Sequence, residues 1–310
     1  RRVMRDSFVD TLFRMACLDK DIVLLTADLG FGIFEKFEKL RGQYYNVGIS
    51  EQNMIGVASG LALLGKKIVV YSIGNFPTLR CLEQIRNDAC YHELNITIVS
   101  SGGGFSYGSL GMSHHATEDL SVMRSMPKII VLSPCTSSEA GYAIAALLKE
   151  DGVGYLRLDK SSASDTVLKH VFSIGSSKRF LKGSDITLIA TGGILEEVID
   201  ASYELKKVNI KARVVGMYSI KPIDKNEIVD AARTTGGIVT IEEHNLDGGL
   251  GSAVSEVCMD NGSYPKRFLR LGMDNTYTTI VGSQKYLRSR YGIDSVTIVE
   301  KVKSLIQGSS

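Results

Sequence analysis

The sequence of 310 residues lacks the features expected of a membrane or exported protein. No run of about 18 apolar residues occurs, so we expect no transmembrane helix and no membrane partner. The N-terminal segment alternates charged and apolar residues and lacks the apolar core of a signal peptide. Cysteine is scarce: the five cysteines are an odd number without a CxxC pair. We therefore expect free, mostly buried thiols in a reducing compartment, and a cytoplasmic protein.

Charge of one sign is not in excess either. The chain has 36 basic and 34 acidic residues, a net charge of +2, and no basic run longer than Arg1-Arg2. This balance gives no electrostatic basis for binding nucleic acid or an anionic membrane. Apolar residues make up 44% and charged residues 23%, which is typical of a globular protein.

Short β-branched segments alternate with segments of helical periodicity along nearly the whole chain. This alternation predicts an α/β protein with largely parallel sheets flanked by helices. A polar stretch containing Ser, Gly and Lys interrupts it, which predicts a first domain over residues 1–160, a linker over 161–184 and a smaller second domain over 185–310. Candidate strands lie at 21–26, 44–47, 67–71, 95–100, 128–133, 154–158, 185–191, 211–217, 237–243 and 267–272.

Some helix ends carry local signals. Thr136 and Glu139 have the spacing of a capping box. Ser50 is placed to cap a helix that begins at Glu51, and Gly65 is expected to end that helix.

Four segments, in this order, resemble the transketolase superfamily. The first three resemble the pyrimidine-binding domain and the last resembles the C-terminal domain. The resemblance implies a transferase that uses thiamine diphosphate to move a two-carbon ketol unit between sugars, sugar phosphates or modified sugars. It also implies one antiparallel edge strand in the second sheet. The segments are TADL at 26–29, YYNVGISEQNMIGVASGLAL at 44–63, GMSHHATEDLSVMRSMPKIIVLSPC at 111–135 and EEHNLDGGLGSAV at 242–254.

One motif of this family, the GDG segment that holds the diphosphate and its metal, is absent from the chain. Gly102–Gly104 follows a strand, but no carboxylate comes after it to hold Mg²⁺. The resemblance therefore implies no metal site in this chain, with Mg²⁺ or Ca²⁺ held mainly by a partner that corresponds to the N-terminal section. A two-plus-two heterotetramer with cofactor sites between subunits is expected.

Glu51 and His114 are the candidate catalytic residues. In the family, the Glu that matches Glu51 promotes the imino tautomer of the cofactor's aminopyrimidine, a task that suits a carboxyl group in an apolar pocket. The alternative for Glu51 is a first-turn carboxylate that interacts with the helix dipole. The His that matches His114 contacts the substrate oxygen that gains and loses a proton, and imidazole suits that transfer. His115 is given no catalytic role.

Three further residues match cofactor positions of the family. Phe76 is expected to stack on the aminopyrimidine, and Ile73 stands where a second aromatic residue often occurs. Asp28 matches an acidic residue near the thiazolium end, although an Asp after a strand is also a common cap.

The substrate is expected to contact His114, Arg5, Lys160 and Leu110. Arg5 and Lys160 match positions that hold the sugar phosphate, with ordinary surface charge as the alternative. Leu110 replaces an Asp that recognises a sugar hydroxyl, which places the usual phosphopentose substrates in doubt. A replacement group could instead come from Ser106, Tyr107 or Ser109.

Other functions remain open at this point. The chain could belong to a decarboxylating enzyme that resembles deoxyxylulose-phosphate synthase or a 2-oxoacid dehydrogenase, in the latter case its beta chain. It could also be a regulatory subunit that catalyses nothing. Retention of Glu51 and His114 disfavours the regulatory alternative.

Overall fold

The computed structural model describes residues 3–165 and 171–308, which form two sheets flanked by helices. Residues 166–170 of the predicted linker lie outside the described residues. The helices of the first part are α1 Met4–Leu18, α2 Glu51–Leu63, α3 Leu82–Gln84, α4 Asp119–Ser125 and α5 Ser137–Leu147. Those of the second part are α6 Leu195–Lys207, α7 Lys225–Thr234, α8 Leu250–Asp260, α9 Gln284–Arg290 and α10 Ser295–Gln307.

Twelve strands in the described part of the chain make up the two sheets. The first sheet has the order β10-β5-β6-β4-β3-β1-β2 and is parallel from β5 to β2. Because helices cover both faces, its central strands are apolar throughout rather than alternating. The first six strands are β1 Ile22–Thr26, β2 Tyr44–Asn46, β3 Lys67–Ile73, β4 Ile96–Ser101, β5 Ile129–Leu132 and β6 Val153–Leu158. The other six are β7 Lys178–Leu181, β8 Ile186–Ala190, β9 Ala212–Gly216, β10 Ser219–Lys221, β11 Ile238–Asn245 and β12 Phe268–Met273.

The second sheet has the order β12-β11-β8-β9-β7, and β7 at its edge is antiparallel to β9. This confirms the expected antiparallel edge strand. β7 lies inside the predicted linker, 161–184, so the second sheet begins earlier than the sequence analysis placed it. The four residues of β7 stand among Ser, Gly and Lys and are too few to show an alternating pattern.

Strand β10 also departs from the predicted division. It comes from residues assigned to the second domain, yet it pairs antiparallel with β5 of the first sheet. A strand of three residues carries no periodic signal, so only tertiary pairing defines it. One apolar cluster extends across this junction and includes Val131 beside Ile189, Val215 and Met217. The two sheets therefore share a continuous core.

The local signals at the helix ends give mixed results. Thr136 and Glu139 form the predicted capping box. Gly65 follows α2 with φ +86, a left-handed conformation that suits glycine. Ser50 was wrongly expected to cap α2 with its side chain: its hydroxyl donates instead to the carbonyl of Val47 at 3.0 Å.

All five cysteines are free, and only Cys17 is exposed, which confirms the expected state of the thiols. Among the helices of residues 3–165 and 171–308, none is both long enough and apolar enough to cross a bilayer.

Candidate functional site

The candidate site lies at the carboxyl edge of the first sheet. In a parallel sheet, the loops that follow the strands meet at one edge, where ligands of α/β proteins commonly bind. Asp28 follows β1, Glu51 follows β2, Phe76 follows β3, and the loop that leads to His114 follows β4. The topology therefore collects residues that lie far apart in the sequence.

Glu51 is buried, with 1% of its surface exposed, although it is the first residue of α2. Its Oε1 accepts a hydrogen bond from Ser72 Oγ at 3.0 Å. Its Oε2 pairs with Arg80 Nη1 at 2.6 Å, and the Arg80 side chain is 43% exposed. The carboxylate is thus neutralised by a cation that reaches it from the surface.

Phe76 connects this ion pair to His114. The guanidinium carbon of Arg80 lies 4.5 Å from the centroid of the Phe76 ring, a cation–π contact. The His114 ring lies edge-on to Phe76, with 5.2 Å between the ring centroids and 71° between the planes. The structure therefore brings together three of the predicted residues, Glu51, Phe76 and His114.

The turn after β3 supports the His114 loop. Asn75 Nδ2 donates to the carbonyl oxygen of His115 at 2.8 Å. Gly74 has φ +48, and a Cβ at that position would lie 3.3 Å from the carbonyl oxygen of His114. The approach of the two loops thus requires glycine there.

His115 is held on both sides of its ring. Its Nδ1 lies 2.6 Å from Thr278 Oγ1, and its Nε2 lies 3.2 Å from the carbonyl oxygen of Gly108. Burial lowers the pKa of His115 below its ordinary value. These contacts support its assignment as a non-catalytic residue.

Asp28 lies at the same sheet edge and is fixed by Asn46. Its backbone N–H donates to Asn46 Oδ1 at 2.9 Å, and its Oδ1 accepts from Asn46 Nδ2 at 3.0 Å. Asp28 adopts φ +54, a left-handed conformation that Asp tolerates better than most residues. Ile73, the last residue of β3, is half-buried beside Ser72.

The predicted phosphate ligands form a second group. Lys160 Nζ lies 3.8 Å from the centroid of the Tyr107 ring. Burial, and then the positive charge of Arg5, lower the pKa of Lys160. Ser106 Oγ donates to the carbonyl of Gly103 at 2.7 Å and accepts from the backbone N–H of Lys160 at 3.2 Å. Ser106 is therefore already engaged, which leaves Tyr107 and Ser109 as the possible replacement groups.

Leu110 ends a short 3₁₀ turn, Gly108–Leu110, in the loop before His114, and is 54% exposed. An apolar side chain stands open to solvent there. Its exposure makes it available to a bound molecule.

Sequence analysis missed Arg80 and Ser72, the two partners of Glu51. The usable signal was the position of Arg80 one helical turn beyond Phe76. Among residues 3–165 and 171–308, no group of three or more His, Cys, Asp or Glu side chains is arranged to hold a metal ion.

Comparison with known families assigns both halves of the chain. Residues 2–165 match the family model "Transketolase, pyrimidine binding domain", and residues 175–298 match "Transketolase, C-terminal domain". A solved structure described as "Split gene transketolase, inactive beta4 tetramer" superimposes with a TM-score of 0.89 and 32% identity, covering 99% of both chains.

Curated relatives agree with this assignment. One of the two kinds of subunit of the apulose-4-phosphate transketolase of Phocaeicola vulgatus is 34% identical, covering 98% of this chain and 97% of that protein. The 6-deoxy-6-sulfo-D-fructose transketolase subunit SqwH of Clostridium sp. (strain MSTE9) is 34% identical over 96% of this chain and 92% of that protein. The 1-deoxy-D-xylulose-5-phosphate synthase of Halothermothrix orenii is 31% identical over 96% of this chain but only 47% of that protein. The chain belongs to the transketolase family, of which it carries the pyrimidine-binding and C-terminal domains.

Proposed function

We propose that this chain is one subunit of a split, thiamine-diphosphate-dependent enzyme that transfers a two-carbon ketol unit between sugars. The observation that carries the proposal is the cluster of Glu51, Phe76 and His114 at the carboxyl edge of the first sheet. A buried acid, an aromatic face and an imidazole are the groups that such a reaction needs from this domain.

The residues present fit the pyrimidine end of the cofactor. Thiamine diphosphate, when bound, supplies an acidic thiazolium carbon that adds to the carbonyl carbon of a ketose. Glu51 would hold a proton at its carboxyl oxygen for the ring nitrogen of the aminopyrimidine. Phe76 would offer its ring face to that heterocycle, and His114 would exchange a proton with a substrate oxygen. Arg80 must leave the face of Phe76 if the heterocycle stacks there.

A partner subunit would supply the diphosphate and metal site, with Mg²⁺ or Ca²⁺. Helix α2 supports such an assembly, because a Cβ at Gly56 or Gly60 would meet no atom within 4 Å and Leu63 is 69% exposed. Small residues beside an apolar side chain allow another chain to approach closely, and this helix begins at Glu51. A two-plus-two heterotetramer in the cytoplasm is the proposed form.

Isothermal calorimetry tests the need for a partner. We expect the purified chain to bind thiamine diphosphate weakly, with or without Mg²⁺, and a mixture with a GDG-bearing subunit to bind it tightly. Tight binding by the purified chain would contradict the proposal.

The proposed substrates are sugar phosphates or modified sugars. Arg5 and Lys160 provide positive charge for an anionic group on the sugar, beside Tyr107. Two relatives are named for apulose 4-phosphate and for 6-deoxy-6-sulfo-D-fructose, and both names describe anionic sugars. Leu110 would contact the sugar where ordinary transketolases use a carboxylate.

A decarboxylating reaction is the second candidate, supported by the synthase relative from Halothermothrix orenii. The two functions separate in one assay of the assembled complex. Ketol transfer produces a new ketose from xylulose 5-phosphate or a modified donor, whereas the alternative releases carbon dioxide from pyruvate. Carbon dioxide release without ketol transfer would refute the proposed activity.

A further inference from the structure

The segment Glu242–Asn245 ends strand β11 and places two glutamates side by side. Neighbouring residues of a strand point to opposite faces, so Glu242 and Glu243 enter different surroundings. Both are buried, with 0% and 2% of their surface exposed. Each also fills the space beside a glycine: a Cβ at Gly249 would clash with Glu242 Oε2, and one at Gly104 would clash with Glu243 Oε1.

Glu242 serves the second domain. Its carboxylate accepts the backbone N–H groups of Leu250 at 2.7 Å and Gly251 at 2.8 Å. These are the first residues of α8, whose N–H groups have no partner within the helix. Glu242 therefore fixes the start of a helix in its own domain.

Glu243 reaches from the second domain into the first. Its Oε1 accepts the backbone N–H of Phe105 and, at 2.8 Å, the amide of Gln284. Its Oε2 pairs with Nε of Arg288, which is only 2% exposed. The Glu243 carboxylate thus has three donors and almost no access to water.

The backbone of Glu243 adds a second link to the first domain. Arg157 Nη2 donates at 3.0 Å to the carbonyl of Glu243 and at 3.1 Å to the carbonyl of Ala116. Close by, the backbone N–H of Asn245 donates to the carbonyl of Thr117 at 2.8 Å. Three points of contact therefore tie the end of β11 to the loops around His114.

These contacts lead directly to His114. Gly104 and Ala116 form an antiparallel bridge, with N–H···O distances of 2.8 and 3.1 Å, so the loop held at Phe105 is joined to the loop that carries His114. The Phe105 ring also packs edge-on against His115, with 5.5 Å between the ring centroids. Movement of Phe105 would therefore displace the neighbour of His114.

We propose that Glu243 is a positioning residue: from the second domain it holds the loops 102–105 and 111–117 so that the His114 imidazole faces Phe76. The proposal rests on the proposed function for the role of His114, but the loop contacts do not depend on it. Replacing one carboxylate oxygen with an NH₂ group sets a donor against Arg288 or Phe105. One buried donor then loses its acceptor, and the loop opens more often.

Hydrogen exchange of the chain alone tests the contact, with Glu243→Gln and its neighbour Glu242→Gln as a matched pair. In Glu243→Gln, we expect amides of peptides covering 102–118 to exchange about tenfold faster than in wild type. In Glu242→Gln, faster exchange should be confined to the start of α8. Equal exchange of 102–118 in wild type and Glu243→Gln would overturn the proposal.

Kinetics of the assembled enzyme test the consequence for His114. Glu243→Gln should lower kcat by about tenfold to a hundredfold, because a small displacement of a reacting group is costly, and leave KM within about threefold. Glu242→Gln should keep kcat. An unchanged kcat in Glu243→Gln, or an equal loss in both variants, would overturn the positioning role.

A milder variant covers the case in which Glu243→Gln fails to fold. Gln284→Leu removes one donor and leaves the carboxylate paired with Arg288, and it should accelerate exchange of 102–118 by a smaller factor. Unchanged exchange in that variant would count against the proposal. Because exchange requires neither partner nor substrate, a complex without ketol transfer would refute the proposed function and leave this test decisive.

Discussion

Glu51 and Glu243 are both buried carboxylates with an arginine partner, but the two arginines differ. The side chain of Arg80, which pairs with Glu51, is 43% exposed, whereas that of Arg288, which pairs with Glu243, is 2% exposed. An exposed cation can leave and be replaced by another group. A buried one cannot leave without stranding a charge in the interior. The comparison indicates that Glu51 can accept a ligand, while Glu243 is committed to structure.

The largest expected effect is on turnover by the Glu51→Gln variant. The amide fills the same volume and can keep contact with Ser72, but it cannot exchange the proton that the cofactor's ring nitrogen requires. We expect turnover of the assembled complex to fall by about a hundredfold or more, as is typical for loss of general acid–base help. Circular dichroism and the stoichiometry of the complex should stay unchanged.

The matched control is Glu83→Gln, which removes an exposed acid near the same site. It should keep turnover close to that of wild type. Near-normal activity in Glu51→Gln would refute the catalytic assignment and with it the functional half of the comparison.

Glu242 provides the next effect, on stability. Burial raises the pKa of Glu242 from 4.5 to about 7, partly opposed by the hydrogen bonds from Gly251 and Leu250. The folded state therefore binds more protons between these values, so this contribution is complete below pH 4.5 and is lost as pH rises through about 7.

Urea unfolding at about pH 5 and about pH 8 measures that contribution. The free energy of unfolding of wild type relative to Glu242→Gln should be greater at the lower pH, by up to about 3 kcal/mol from the size of the shift. Burial raises the pKa of Glu139 to about 7 as well, so wild type should lose stability from both sites. A pH-independent difference for Glu242→Gln would contradict a buried, proton-binding carboxyl.

Sequence patterns were sufficient for features that depend on neighbouring residues. The apolar strands of the first sheet, the capping box at Thr136 and the family motif around Glu51 all use local information. Patterns failed where distant segments decide the outcome. β10 exists because β5 offers an edge, and the Arg80–Glu51 pair joins two loops that only the folded sheet brings together.

A smaller effect is expected for substrate choice at Leu110. A sugar hydroxyl that faces Leu110 without an acceptor would lose roughly 1–3 kcal/mol. We therefore expect xylulose 5-phosphate with ribose 5-phosphate to be a poor pair compared with deoxy, sulfonated or nucleotide-linked sugars. In Leu110→Asp, kcat/KM for the pentose phosphates should rise about tenfold or more relative to the other sugars.

Met112→Asp is the matched control, because Met112 is 51% exposed in the same loop. It adds the same charge at a neighbouring position and should not shift preference. If pentose phosphates are the best pair for the unaltered complex by a wide margin, the Leu110 interpretation is wrong.

The smallest expected effect concerns the ion pair between Glu51 and Arg80. Because Arg80 is 43% exposed, solvent screens the pair, and we expect a coupling free energy of about 1 kcal/mol. A double-mutant cycle with Glu51→Gln, Arg80→Gln and the double variant, measured by urea unfolding of the chain alone, isolates this value. The same cycle built on Glu243 and Arg288 should give a coupling at least about twofold larger, because that pair is screened from water. Equal couplings would mean that exposure of the arginine does not distinguish the two sites. A coupling above about 3 kcal/mol for Glu51 and Arg80 would show a pair as tightly bound as a buried one, which a ligand could not readily separate.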